Sequence, residues 1–282
     1  MNAVPDMNPR GLDERVGALL YGRWSEFVLL RSDVLKKEDP EAIHDLRVAS
    51  RRIRTGLQLC RPALPATVLT GILRPIRRIT RKLGRLRNLD EARTFFGCSG
   101  LNLPILCARL DQMRCDEMRS VSALLHRFPL HEVEALQRRA VACLGEYGTG
   151  GGESSLAGHL SRISTRRYRA MIDLLPPAQV PGQVQERHAF RIAVKKWRYL
   201  LEFLAQLSGR DYHAALEQLK AYQSVLGDLN DLDEFRQVCA DLPLPQQEQS
   251  LVSALLAETG ARQLARFLEL AQTGRPRYLF ML

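Results

Sequence analysis

Two segments of the chain carry a histidine followed by basic residues at helical spacing. The first places them at i, i+3, i+7 and i+10, so that they share one face of a helix. These residues are His44, Arg47, Arg51 and Arg54. The second segment repeats the spacing with His188, Arg191, Lys195 and Arg198. Because guanidinium and ammonium groups bind phosphate oxygens, this pattern predicts a site for an anion that carries several charges.

The charges on these helix faces are almost all positive, unlike those on an ordinary solvated helix face. Between residues 44 and 87 the chain holds twelve Arg or Lys residues and a single acid, Asp45. Solvated faces usually mix signs, since opposite charges at i and i+4 stabilise a helix and like charges destabilise it by a few tenths of a kcal/mol. We therefore infer that an anionic ligand relieves the repulsion, with the arginine fork suited to phosphate.

The two histidines are weak candidates for metal ligands. Neither His44 nor His188 has a His, Cys or acid four residues later, and the surrounding cations oppose a metal ion. Two roles stay open: a structural, hydrogen-bonding histidine, and a donor to phosphate. A covalent phosphohistidine would need a partner enzyme that the sequence does not reveal.

Other signatures of chemistry are not found in the sequence. The acidic string from Asp228 to Glu234 lacks the glycine of a calcium loop, and helix capping with salt bridging explains it better. There is no P-loop, GxSxG or HExxH motif. We expect no catalytic residue, no metal and no cofactor, and hence a binding protein instead of an enzyme.

Composition limits the class of protein. The chain has 282 residues, a net charge of +10 and 45% hydrophobic residues, which allows a sizeable core and favours polyanionic partners. The first residues lack the apolar region of a secretory signal, and no run reaches the roughly 18 apolar residues of a membrane span. We expect a cytoplasmic protein without membrane association.

Periodicity predicts helices nearly everywhere and no strand. The first helix is expected to end near Lys36, and the Asp39-Pro40-Glu41 sequence to start the second, which stops at Arg61-Pro62. Asn88 and Glu91 resemble a capping box and are expected to open a new helix. Further helices are predicted at 66–86, with a kink at Pro75, and at 104–126 and 131–147.

The order of motifs repeats after a glycine-rich stretch. A shift of 144 residues aligns His44 with His188, and a one-residue deletion then aligns 83–93 with 226–236, where seven of eleven residues are identical. A capping signal at Asp231 and Glu234 falls in the same register. We predict one domain over 1–282 with an internal duplication. Its parts are a first repeat at 12–147, a Gly-rich joint at 148–155 and a second repeat at 156–272.

The combined motifs resemble the CHAD domain, the histidine α-helical domain family. They are HxxRVxxRRxR with LGxLRxLDE in the first repeat, and HxxRIxxKKxRY with LGxLNDLDE in the second. The resemblance implies an all-α fold of two four-helix-bundle-like repeats, related by pseudo-two-fold symmetry around a basic groove or pore. It also implies binding of inorganic polyphosphate and association with polyphosphate granules. A fused CYTH phosphohydrolase domain has no room here, so a stand-alone member is expected.

The resemblance also implies a set of ligand positions. In the first motif they are His44, Arg47, Arg51, Arg52 and Arg54. In the second they are His188, Arg191, Lys195, Lys196 and Arg198. Neighbouring helices are expected to add Arg74, Arg77, Arg78, Arg81, Lys220, Arg166 and Arg167. The second repeat keeps only Lys220 where the first has an arginine series, so tighter phosphate contact is expected on the first.

Several partners follow from these expectations. The main one is inorganic polyphosphate, or single phosphate or sulfate anions, with polyphosphate-metabolising enzymes as a further class. Nucleic acid is the leading alternative, but aromatic residues make up only 6% of the chain and are not interleaved with the basic stripes. A phosphate-processing enzyme subunit is the other alternative, and it lacks a visible carboxylate cluster for metal.

Overall fold

The described part of the chain is helical throughout. The computed structural model describes residues 9–147, 155–274 and 276, and its helices there are joined by short loops. The predicted all-α fold is therefore confirmed for these residues. The α-helices are α1 (Pro9–Lys37), α2 (Pro40–Leu59), α3 (Ala66–Gly97), α4 (Pro104–His126), α5 (Leu130–Tyr147), α6 (Leu156–Ala178), α7 (Val184–Ser208), α8 (His213–Ala240) and α9 (Gln246–Thr273). Over the same residues, no helix is both long enough and apolar enough to cross a membrane.

The start of α2 follows its local sequence. The Asp39 carboxylate accepts a hydrogen bond of 3.1 Å from the Ala42 N–H, and Pro40 occupies the first helical position. The helix ends at Leu59, slightly before the predicted stop, and a 3-10 turn follows at Arg61–Ala63. This end fixes where the basic face of α2 stops.

The two predicted capping boxes are wrong. Both α3 and α8 continue as helices through Asn88 and Asp231. A cap needs a non-helical residue, whereas Leu86 and Leu89 continue the buried face of α3 without interruption. The Asn88 side chain instead donates a hydrogen bond to Glu234 on α8. Pro75 lies inside α3, and the kink expected there stays a prediction.

Four helices form a circuit of contacts around the predicted ligand positions. Helix α2 packs on α3 and α7, and α8 packs on the same two helices. Gly56 of α2 lies against Phe203 of α7, and Arg51 lies against Tyr199, so the contacts advance in the same direction along both helices. The two helices that carry the basic stripes therefore run parallel where they meet.

The apolar side chains form a main core and a smaller second core. The main core draws residues from both predicted repeats, including Ile53 of α2 and Trp197 of α7. The second core joins the far ends of α3 and α8, where Phe96 packs on Phe235. The joint lies almost wholly outside the described residues. The repeat bounds and the pseudo-two-fold relation stay predictions.

Candidate functional site

The two basic stripes meet at the contact between α2 and α7. The guanidinium of Arg51 lies over the ring of Tyr199, 5.0 Å from its centroid. Lys195 is close enough to Arg47 and Arg51 for their charges to affect its titration. We call the set that converges here the basic cluster. Its members are Arg47, Arg51 and Arg54 of α2 with Arg191 and Lys195 of α7.

The apolar faces of the same helices hold the cluster in position. On α2 four residues at helical spacing are buried: Ile43, Leu46, Ile53 and Leu57. On α7 the buried residues are Phe190, Val194, Trp197 and Leu201. Burying each such side chain stabilises the fold by about 1.5–3 kcal/mol, which fixes the rotation of each helix and holds the neighbouring basic residues at the edge of the core. Because the basic residues of α2 and of α7 recur at intervals of three or four, those of each helix lie side by side where the two helices meet.

Gly84, in the LGxL motif of α3, lies next to the Arg47 side chain. A Cβ at this position would lie 3.9 Å from the Nε of Arg47. A side chain at position 84 would therefore reach the Arg47 side chain, and glycine leaves this space open. This proximity links the basic motif of α2 to the LGxL motif of α3.

Three partly buried arginines of the basic cluster each have a buried Nε atom without a hydrogen-bond partner among the described residues. They are Arg47, Arg54 and Arg191. The Nδ1 atom of His44 is buried and unpaired in the same sense. A buried polar group without a hydrogen bond costs about 1–3 kcal/mol, and more when it is charged. The ligand-free cluster therefore has donors that an anion would satisfy.

Burial and mutual repulsion depress the pKa values of the cluster. Burial, together with the neighbouring charges of Arg191, Arg51 and Arg47, lowers the pKa of Lys195 to about 7. Burial also lowers the pKa of Arg54, with Arg77 and Arg51 contributing. Both effects favour an anion at this position.

An exposed series of arginines continues from the cluster along α3. We call it the arginine ladder, and its members are Arg61, Arg74, Arg77, Arg78 and Arg81. These residues line a depression of about 740 Å³ between α3 and the end of α2. Burial lowers the pKa of Arg54, and Arg77 is close enough for its charge to add to this shift. Because Gln58 at the end of α2 lines the same depression, the ladder begins next to the helix that carries the basic cluster.

Other predicted ligand residues are directed elsewhere or have partners. Arg52 reaches Glu26 on α1 at 3.4 Å, because it lies one residue, or about 100° of helical turn, from Arg51. Arg198 pairs with Glu202 at 2.9 Å and donates to Gln223 at 2.7 Å.

The remaining predicted positions lie at the surface or on α6. Lys220 pairs with Glu217 at 3.6 Å. Arg167 donates to the backbone carbonyl of Lys196 at 3.1 Å, and the side chains of Lys196 and Arg166 reach the surface. Any contact of these residues with a ligand stays a prediction.

Three carboxylates lie next to the basic cluster, and we call them the acidic border. They are Glu91 of α3 with Asp231 and Glu234 of α8. The sequence motifs indicated helix caps at these residues and did not predict their place beside the cluster. Burial raises the pKa of Asp231 to about 6, with Glu91 contributing, although Arg191 opposes the shift. The repetition of LDE at matched places in both predicted repeats was the signal that could have revealed it. Among the described residues, no group of three or more His, Cys, Asp or Glu side chains is arranged to hold a metal.

Asn230 ties His188 to this border. The Nδ1 atom of His188 lies 3.1 Å from the Oδ1 atom of Asn230, whose amide donates to Glu234 at 2.7 Å. The Nδ1 atom of His44, by contrast, is buried and has no hydrogen-bond partner among the described residues. The two predicted equivalents therefore stand in different surroundings, and their roles toward a ligand stay predictions.

Comparisons with known proteins agree with the motifs. The model of the CHAD domain family matches residues 18–240. The fold is similar to that of the CHAD domain from the plant Ricinus communis, with a TM-score of 0.71 and 22% identity over 94% of this chain and 93% of that one. It is also similar to PptA from Streptomyces chartreusis, with a TM-score of 0.65 and 18% identity over 93% of this chain and 99% of that one. No curated protein matches the sequence.

Proposed function

The chain belongs to the CHAD domain family, and on that premise we propose that its basic cluster binds inorganic polyphosphate. The observation that carries the proposal is the meeting of partly buried arginines from two helices, Arg47 and Arg54 with Arg191, whose Nε atoms have no hydrogen-bond partner among the described residues. Such donors cost free energy in the free protein, and phosphate oxygens would satisfy them. Binding would also relieve the repulsion that lowers the pKa of Lys195.

The shape of the basic surface supports a linear polyanion over a single phosphate. Cations extend from Arg191 through Arg51 and Arg54 to Arg77, which is more than one phosphate group can contact. Successive phosphates would meet arginine forks in turn, with Lys195 as a point charge. We propose that these cations line the basic groove or pore expected from the sequence.

Counterion release would supply much of the binding free energy. For single-stranded nucleic acid, the logarithm of the binding constant falls by roughly 0.7 per contact for each tenfold rise in salt. We expect a similar slope for polyphosphate on the basic cluster. Binding should therefore weaken steeply as salt is added.

Competition distinguishes polyphosphate from nucleic acid, the leading alternative. Tyr199 contacts the cluster, and Arg51 covers one face of its ring, so that face is not available to stack on a base. Labelled long-chain polyphosphate bound to the protein should resist displacement by single- or double-stranded DNA at physiological salt. Stronger displacement by DNA than by unlabelled polyphosphate would favour a nucleic-acid-binding protein.

We also propose that the protein associates with polyphosphate granules and that it binds the polymer without hydrolysing it. A protein that binds the polymer would be drawn to polyphosphate granules, where polyphosphate-metabolising enzymes are the expected partners. Purified protein incubated with polyphosphate and Mg²⁺ should release no phosphate. Measurable release that is lost with a variant of the cluster would assign a phosphate-processing activity.

A further inference from the structure

The arginine ladder is a basic surface without internal compensation. Its helical members Arg74, Arg77, Arg78 and Arg81 stand at i, i+3, i+4 and i+7 of α3, where like charges repel. The depression that they line contains no acidic side chain. Within the described part of the chain, no ion pair or side-chain hydrogen bond engages any of these arginines.

The ladder differs from the basic cluster in accessibility. Arg47 and Arg54 in the cluster are partly buried, whereas the ladder stands at the surface around an open depression of about 740 Å³. Arg77 joins the two, because it lines the depression together with Gln58 at the end of α2 and its charge also acts on Arg54. A polyanion that leaves the cluster past Arg54 therefore meets the ladder next.

The second predicted repeat has no comparable extension. Its counterpart of Arg77 is Lys220, which is exposed and already pairs with Glu217 at 3.6 Å. At the other side of the cluster stands the acidic border of Glu91, Asp231 and Glu234, which repels phosphate. The basic surface therefore continues along α3, whereas the carboxylates oppose a continuation toward α8.

We propose that the arginine ladder selects long polyphosphate chains over short ones, by binding phosphates beyond the basic cluster. The inference rests on the proposed function of the cluster and extends it to chain length. The arginines from Arg74 to Arg81 span about 10 Å of helix axis, which a chain confined to the cluster does not reach. For a longer chain the additional binding is intramolecular, so each further phosphate adds affinity at a high effective concentration.

The test compares two probes on two variants. The probes are tripolyphosphate and long-chain polyphosphate. The ladder variant carries Arg74→Gln, Arg78→Gln and Arg81→Gln, and it keeps Arg77 because that residue adjoins the cluster. The control variant carries Arg119→Gln, Arg138→Gln and Arg139→Gln, which removes the same charge from surface positions on α4 and α5. Thermal unfolding followed by circular dichroism checks that both variants fold.

The ladder variant should bind long-chain polyphosphate about tenfold more weakly, with a salt slope reduced by roughly 0.7 for each phosphate that the ladder no longer binds. Its affinity for tripolyphosphate should change less than about twofold, and the control variant should match the wild type. An equal loss for both probes, no loss for either, or an equal loss in the control variant would overturn the ladder's role. If the wild-type protein bound neither probe, the proposed function itself would fail.

Discussion

The guanidinium carbon of Arg51 lies 5.0 Å from the centroid of the Tyr199 ring. Arg51 belongs to the basic stripe of α2, and Tyr199 follows the basic stripe of α7. A cation over an aromatic ring is stabilised by about 0.5–2 kcal/mol, depending on its exposure. The contact therefore fixes a proposed ligand residue of one helix on a side chain of the other.

Removal of the Tyr199 ring should loosen Arg51. We expect Tyr199→Leu to weaken polyphosphate binding about fivefold, equivalent to the loss of about 1 kcal/mol of positioning energy. Tyr199→Phe keeps the ring and should bind as the wild type does. Titration of both variants with long-chain polyphosphate checks this. Equal affinities for the two variants would show that the Tyr199 ring does not contribute to polyphosphate binding.

Arg54 is expected to lower the free energy of unfolding of the ligand-free protein. Its buried Nε has no hydrogen-bond partner among the described residues, and the charges that shift its pKa, Arg77 and Arg51, are both positive. We expect Arg54→Met to raise the free energy of unfolding of the free protein by about 1 kcal/mol, while polyphosphate binding weakens. Urea denaturation without ligand measures the first effect.

Arg47 provides the matched contrast. It is also buried with an unpaired Nε, but Glu91 and Asp231 offset the pKa shift that burial and Arg51 cause. Arg47→Met would remove a positive charge that faces these carboxylates and leave only Arg87 beside Glu91 and Arg191 beside Asp231, so we expect it to lower stability. If Arg47→Met and Arg54→Met shifted unfolding in the same direction, the charge balance described for the site would be wrong.

The affinity for polyphosphate should fall as the pH rises. In the free protein the pKa of Lys195 is lowered to about 7, mainly by burial, and that of Asp231 is raised to about 6, also mainly by burial. A bound polyanion favours the protonated form of both groups, so binding takes up protons. Each group that loses its proton as the pH rises through about 6 and then about 7 reduces the affinity.

Variants separate the two titrations. Lys195→Met should remove the change in affinity around and above pH 7, and Asp231→Asn the change around pH 6. Binding measured over this range in constant salt provides the readout. An affinity that rises with pH in the wild type would contradict the linkage.

Much of the site could be predicted because helical periodicity assigns a face to each residue. Helical periodicity assigns Ile43 and Leu46 to the buried face of α2 and Arg47 and Arg51 to the face beside it, as the structure has them. The start of α2 was equally predictable, since the Asp39 cap is a local interaction.

The remaining features depend on partners that are distant in sequence. Asn88 resembled a helix cap because its partner Glu234 lies 146 positions away, on a helix that only the fold brings near. The pairing of Arg198 with Glu202 and Gln223 also depends on rotamers and on a neighbouring helix. A basic residue in a motif therefore did not by itself identify a free cation.

Charge reversal in the basic cluster should abolish polyphosphate binding. The variant carries Arg51→Glu with Arg54→Glu, and its control carries Arg138→Glu with Arg139→Glu on the exposed face of α5, so that both change the net charge equally. Two charge-assisted hydrogen bonds of about 1.5–3 kcal/mol each would be replaced by repulsion, which predicts a loss of about a hundredfold or more. Both variants should keep the helical circular dichroism of the wild type.

The affinity of these two variants for long-chain polyphosphate, titrated side by side at one salt concentration, is the most direct test of the account. We expect the cluster variant to lose binding and the control to stay close to the wild type. A cluster variant that binds as tightly as its control would show that polyphosphate is held elsewhere on the protein.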